Sequence, residues 1–365
     1  MRSCDTGMQH RYSAIAVRGR RARRFLPPGW RQEHCGVSKE GQHTLVRGHQ
    51  LHVHYDTRER WSLSAPKAIK AIDGADISIA RKETVSLVGE SGSGKSTVGR
   101  VLLGAEQPTF GSVTFDGEDL TTVSRKRWMG LRGSMQLIFQ NAGGSFNPRL
   151  TIGDQLEEAI FLQKRIGPKR VLPSIGTTLD RVGLSKKILS NFAFELSGGQ
   201  QQRAAIARTL LCRPEFIVCD EIVSALDLSV QAQIINLLRE LQSDLGIAYL
   251  FISHDLAVVR YLSDRVAVMY FGRIVETGES ERVFSAPRHP YTKTLLEAAP
   301  SMKAGHRTGI RRDAAPTVVG RTAGCRFLSR CAVAGARCEV EVPRLAGREQ
   351  HLVACHHPIQ ADRDD

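Results

Sequence analysis

Apolar positions along the 365-residue chain change period several times. Leu51, Val53 and Tyr55 alternate with His52 and His54, the period of a half-buried strand, within an ordered stretch that begins near residue 45. Ile69, Ile72, Ile77 and Ile79 read as further short strands. Apolar runs at 84–88, 111–115 and 135–139 predict three more, with Asp116-Gly117 a turn and the last run ending at Gln140. From 152 to 189 the spacing becomes helical, as in Ile152, Leu156, Ala159 and Ile160. Gly167-Pro168 and Pro173-Ser174 break that stretch into separate helices. A further helix runs from Ser197-Gly198-Gly199 to Leu211. Strand and helix then alternate: strand 216–219, helix 229–245, strand 248–252, helix 256–262, strands 266–270 and 273–275. The alternation predicts an α/β domain with a mainly parallel sheet and an inserted helical block.

Composition divides the chain into three parts. Residues 1–44 form a basic tail, residues 45–285 the main domain with its helical insertion at about 143–210, and residues 286–365 an extension. A short helix opens that extension at His289-Pro290-Tyr291-Thr292, and a basic linker follows at 301–322. The net charge is +14, but the first 31 residues alone hold eight Arg and one acidic residue. A solvated tail therefore accounts for much of the excess, and nucleic acid is not an expected partner. The N-terminus has no apolar stretch after its Arg cluster and does not read as a secretory signal, and no run is long enough to cross a bilayer. The expected compartment is reducing, so the eight Cys are not read as a disulfide framework.

The chemistry starts with Gly89, Glu90, Ser91, Gly92, Ser93, Gly94, Lys95, Ser96 and Thr97. A buried strand precedes this run and a helix follows it. Glycines there let backbone N–H groups turn inward around phosphate oxygens, and the helix start adds a positive dipole end. Lys95 is expected to reach terminal phosphates and Ser96 to hold Mg²⁺. Asp220 and Glu221 end an apolar strand. At the carboxyl end of a parallel strand they face the crevice of the phosphate loop, Asp220 on the Mg²⁺ side and Glu221 as general base. Ser197, Gly198, Gly199 and Gln200 open another helix, a second anion-binding surface. One γ-phosphate does not need two such loops within a chain, whereas a head-to-tail dimer does.

This ordered set, with Gln140, Ser224-Ala225-Leu226-Asp227 and Ser253-His254-Asp255, resembles the ATP-binding subunits of ABC transporters over about residues 45–299. The resemblance implies a P-loop cassette: a RecA-like core, an antiparallel β subdomain and an inserted helical subdomain, plus a small Cys-containing extension. It implies that Ser197 to Gln200 act in trans on ATP held by a second ABC subunit, and that Asp227 crosses that interface. Gln140 would contact Mg²⁺ or water, His254 the γ-phosphate, and Tyr55 the adenine, with a core tyrosine as the alternative for Tyr55. Ser145-Phe146-Asn147-Pro148-Arg149 and His289-Pro290-Tyr291-Thr292 are similar to the oligopeptide/dipeptide and nickel importer branch. Membrane permease subunits, an indirectly acting solute-binding protein and a peripheral place on the cytoplasmic face of the inner membrane follow from that likeness. Asn141-Ala142, Ile222 and Ala193-Phe194 depart from the family pattern without removing a phosphate or metal contact. A soluble ABC ATPase acting on ribosomes or nucleic acid is the alternative, weakened by the presence of one cassette rather than two.

Cys325, Cys331, Cys338 and Cys355 share one apolar-poor segment. Four thiols there suggest a metal staple, with a [4Fe–4S] cluster preferred to zinc because the spacing is looser than in zinc fingers. His351, His356 and His357 are near enough in sequence to substitute. Cys4, Cys35, Cys212 and Cys219 show no such grouping, and Cys219 reads as a small core residue.

Overall fold

The computed structural model describes residues 44–56, 68–166, 172–298, 323–348 and 351–359. The basic tail, the connection after the first strand and the linker at 301–322 lie outside them. Two sheets organise the rest. The first pairs β2 (Ala68–Ala80), β1 (Thr44–Asp56), β4 (Phe110–Phe115) and β5 (Glu118–Asp119), in that order and all antiparallel. The isoleucines from 69 to 79 were expected on separate short strands. They lie on the single strand β2, whose ladder with β1 carries several register shifts. Gly74 at φ 84° sits among those shifts, so Ile72 and Ile77 both turn inward although an odd number of positions separates them.

The second sheet contains β3 (Thr84–Val88), β6 (Met135–Ile138), β7 (Phe216–Asp220), β8 (Ala248–Ile252), β9 (Arg265–Tyr270), β10 (Arg273–Glu279), β11 (Ala346–Arg348) and β12 (His351–Val353). Its order is β11-β12-β10-β9-β3-β8-β7-β6. The five strands from β9 to β6 are parallel, and the other three join antiparallel. Alternate residues of the central strands feed opposite layers. Val218, Leu250, Ile252 and Met269 pack toward the first sheet and α1 (Lys95–Leu102). Ile217, Tyr249, Phe251 and Val268 pack toward the helices on the other face. Burying each such side chain is worth roughly 1.5–3 kcal/mol, so a one-residue slip of register would forfeit a whole layer.

The helices after α1 are α2 (Arg125–Leu131), α3 (Ile152–Ile166), α4 (Ile175–Arg181), α5 (Gly198–Leu210), α6 (Leu228–Leu245), α7 (Leu256–Leu262), α8 (Ser280–Ser285), α9 (Pro290–Glu297) and α10 (Ala336–Val340). Between β6 and β7, α3, α4 and α5 form the inserted block. A bridge between Thr151 and Phe192 ties the two ends of its outer part together. Arg208 of α5 donates to the Ser145 carbonyl and hydroxyl and lies over the Phe146 ring at 4.4 Å. The Gln155 amide holds the backbone of Asn147 and Leu150. The Ser145-Phe146-Asn147 motif thus fastens the stretch after Gln140 to the helical block.

Candidate nucleotide site

Residues 89–97 lie between β3 and α1. Gly89 and Gly94 have φ of 148° and 103°, and a Cβ on them would stand 2.1 Å from the Met269 carbonyl oxygen and 2.2 Å from that of Ala71. Only glycine fits at either place. Gly94 caps α1, so Lys95, Ser96 and Thr97 form its first turn, with their N–H groups at the positive end of the helix. Lys95 is buried, and its Nζ donates to the Gly89 and Glu90 carbonyls at 2.8 Å. Burial lowers its pKa, while Glu221, Asp220 and Glu90 oppose that shift.

The acidic strand end meets this loop. Ser96 Oγ donates to Asp220 Oδ1 at 3.0 Å. Burial raises the Asp220 pKa, the Ser96 bond offsets part of that, and Glu221 adds to it. A carboxylate reluctant to ionise beside a hydroxyl suits a hard divalent cation, which would restore its charge, so the donor set fits Mg²⁺. Glu221 adopts φ 51°, and its N–H donates to the Ile252 carbonyl of β8 at 3.0 Å. Gln140 Nε2 donates to Glu221 Oε2 at 3.0 Å and to Ser224 Oγ at 3.3 Å. His254 Nδ1 stands 3.9 Å from Glu221 Oε1, and its side chain is 63% exposed. Strand ends β3, β6, β7 and β8 therefore bring Lys95, Ser96, Gln140, Asp220, Glu221 and His254 to one crevice.

Ser197 to Gln200 stand apart. Ser197 Oγ accepts from the Gln200 N–H, and Gln200 Oε1 accepts from the Ser197 N–H, a reciprocal cap on α5. A Cβ on Gly199 would meet Val230 at 2.7 Å, so this helix start packs beside Asp227 and α6. Among the described residues no hydrogen bond joins it to residues 89–97. Asp227 occupies the cap position of α6, exposed and making no cap bond.

The family model for ABC transporters matches residues 72–224, and that for the C-terminal region of oligopeptide/dipeptide transporters matches residues 275–338. The oligopeptide transport ATP-binding protein OppF of Salmonella typhimurium is 39% identical over 323 residues, covering 87% of this chain and 97% of OppF. The chain belongs to the ATP-binding subunits of ABC transporters, in their oligopeptide/dipeptide branch. A peptide import ATP-binding protein of Brucella ovis is 46% identical to this ABC subunit, covering 85% of the chain and 96% of that protein. Among solved structures, the dimeric post-hydrolysis state of the ATP-binding cassette MJ0796 bound to ADP and Pi matches with a TM-score of 0.55 at 26% identity, over 65% of this chain and 99% of that one. The cbiO1 subunit of Clostridium perfringens, part of the transporter complex cbiONQ, matches with a TM-score of 0.55 at 26% identity, over 67% and 92%.

The remaining expected residues of the ABC subunit fall out as follows. Tyr55, next to last on β1, is 40% exposed, and its hydroxyl donates to Glu106. Glu106 also holds Arg100 of α1 at 3.1 Å, so Tyr55 stands beside the phosphate-loop helix and is not a core residue. Thr97 and Glu90 have partners of their own. Thr97 Oγ1 accepts from Arg100 at 3.1 Å, and the Glu90 carboxylate accepts from Arg330 at 2.8 Å. Sequence reasoning missed Arg330, and no local pattern marks it.

Cys325, Cys331, Cys338, Cys355, His356 and His357 line one small pocket. Burial raises the thiol pKa of Cys325, Cys331 and Cys355, and neighbouring thiols add to the rise. His351 is not among them. Its Nε2 lies 2.6 Å from Glu276 Oε1, which removes it as a substitute ligand. His356 Nε2 lies 3.0 Å from the Glu341 carbonyl oxygen. Cys219 is fully buried in the core, as expected.

Proposed function

We propose that this ABC subunit hydrolyses ATP as one half of a head-to-tail dimer and thereby powers peptide import through membrane permease subunits. The carrying observation is the convergence of Lys95, Ser96, Gln140, Asp220, Glu221 and His254 on one crevice while the capped loop at Ser197 to Gln200 lies elsewhere. That split supports a site made from the crevice of one subunit and the capped loop of a second. In this reading the N–H groups of residues 89–97 and Lys95 hold the phosphates, and Tyr55 stacks on adenine. Ser96, Asp220 and Gln140 hold Mg²⁺, which supplies charge neutralisation at the phosphate oxygens. Glu221 takes the proton of the attacking water, and His254 faces the γ-phosphate. Asp227 and Ser197 to Gln200 close from across the interface.

The names of the relatives, oligopeptide transport and peptide import ATP-binding proteins, support peptides as the solute class. No helix among the described residues is long and apolar enough to cross a membrane. Membrane passage is assigned to permease subunits, with this chain peripheral on the cytoplasmic face and a solute-binding protein acting indirectly. Phe139, Phe161, Leu162 and Phe194, on or beside the helical block, are 45–69% exposed, which suits docking on such a partner. Relatives matched over nearly their whole length give no support to a ribosome- or nucleic-acid-directed ATPase.

The extension fits a metal staple as its second element. Cys325, Cys331, Cys338 and Cys355 share one pocket, and their loose spacing along the chain favours an iron–sulfur cluster over zinc. Protein purified without oxygen should hold iron and absorb in the visible range; stoichiometric zinc or no metal would exclude a cluster. The ATPase reading is tested by Glu221→Gln, expected to retain MgATP binding while turnover falls at least about a hundredfold. Turnover at the wild-type rate would remove Glu221 as the base.

A further inference from the structure

Glu90 is the one acidic side chain within residues 89–97, and it stands in a loop built to receive a polyanion. An unpaired carboxylate there would repel phosphate. The structure gives it a partner from far along the chain. Arg330 Nη1 donates to Glu90 Oε1 at 2.8 Å and Oε2 at 3.0 Å. The Glu90 N–H donates to the Tyr291 hydroxyl of α9 at 2.9 Å. Both groups sit on one aromatic cluster: Phe327 lies 5.6 Å from the Tyr291 ring and 5.3 Å from Tyr270, and the Arg330 guanidinium lies 5.7 Å from Phe327.

The same segment reaches the loop a second way. Arg326 donates to the Phe271 carbonyl and to Asp73. The adjacent Gly272 N–H donates to the Ser93 carbonyl at 2.8 Å, and the Gly272 carbonyl accepts from the Asp73 N–H at 2.9 Å. Arg326 and Arg330 both lie between Cys325 and Cys331, so one short stretch braces the phosphate loop at Glu90 and, through the Phe271-Gly272 turn, at Ser93.

We propose that Arg330 is a positioning residue of the ATP site, neutralising Glu90 and, with Tyr291, fixing the loop, so that the segment from Cys325 to Cys331 is a working part of nucleotide binding. The inference rests on residues 89–97 being the phosphate site. The Arg330–Glu90 pair is partly exposed, so its effect is bounded but readable: Arg330→Ala should raise Kd and KM for MgATP about three- to tenfold. The change in kcat should stay within about twofold, because Arg330 touches neither Glu221 nor the attacking water.

The test uses the whole chain, with equilibrium binding of a fluorescent ATP analogue and steady-state hydrolysis at low and high salt. Arg330→Lys should stay near wild type, and the loss in Arg330→Ala should shrink at high salt. Adding Glu90→Gln to Arg330→Ala should reverse the rise, since the unpaired anion is then gone. A merely structural Arg330 would not be rescued in that way. If the alanine variant does not fold, Arg330→Gln is read by the same cycle. Unchanged affinity on losing Arg330, or a weakening that Glu90→Gln leaves intact, would overturn the proposal. Lys95→Ala separates the two levels. Normal ATP binding in that variant would sink the site itself, whereas lost binding there with wild-type binding in Arg330→Ala would sink only the present inference.

Discussion

Glu221 occupies a left-handed backbone conformation that costs a non-glycine residue about 1–3 kcal/mol. Its N–H bond to Ile252 and its contact with Gln140 hold it there. The Glu221→Gln exchange keeps shape and backbone strain and removes the charge and the proton-accepting group, which is why binding and turnover should separate in that variant. The place of Glu221 in the crevice was legible in the sequence because it follows Asp220 at the end of an apolar strand. The partner of Glu90 was not legible, because 240 positions separate it from Arg330 and nothing local links them. Neighbouring residues of one motif can thus differ completely in how much the sequence reveals.

Among the elements, β10 has the most unexpected company. Glu276 on this strand is fully buried and accepts from the Arg288 N–H at 2.7 Å and the His289 N–H at 2.8 Å, with His351 Nε2 2.6 Å from Oε1. It fastens the start of α9 and strand β12 to the central sheet. Burial alone would raise its pKa, but the His351 contact and those N–H groups prevail and hold it below the usual carboxylate range. A depressed folded-state pKa stabilises the native state above the ordinary glutamate range, and that stabilisation is lost as pH falls through the folded value. Glu276→Gln should therefore lower stability at pH 7 by about 1.5–3 kcal/mol. Denaturant titrations should show that deficit vanishing as pH falls below the usual glutamate range; a deficit constant with pH would refute the assignment. Strands β3, β7 and β8 were readable from their apolar runs. β11 and β12 were not, because each has three residues, and β12 finds its pairing on the distant β10 while β11 pairs with β12.

For the whole molecule, the separation of the capped loop from the phosphate loop makes a quantitative demand on assembly. If two copies pair head to tail, Lys95→Ala removes one half of each composite site and Ser197→Arg the other, so each variant alone should be inactive. Mixed in equal amounts they should regain on the order of a quarter of the wild-type sites, because half the dimers are mixed and each mixed dimer has one intact site. A mixture no more active than its parts would refute the head-to-tail homodimer. The parallel sheet and the inserted helical block were legible from the alternation of strands and helices. The union of the extension with the main sheet was not, since the composition change near residue 286 resembles a boundary and the contacts that cross it are long-range.

That union has a consequence for synthesis. Glu276 pairs with Val353, seventy-seven positions later in the chain. While a ribosome is still making the intervening residues, β10 presents a bare row of N–H and carbonyl groups to the cell, the kind of margin on which foreign strands grow. The nascent protein thus has an interval of vulnerability, whose length is set by translation rate and which closes only when residues 351–353 emerge.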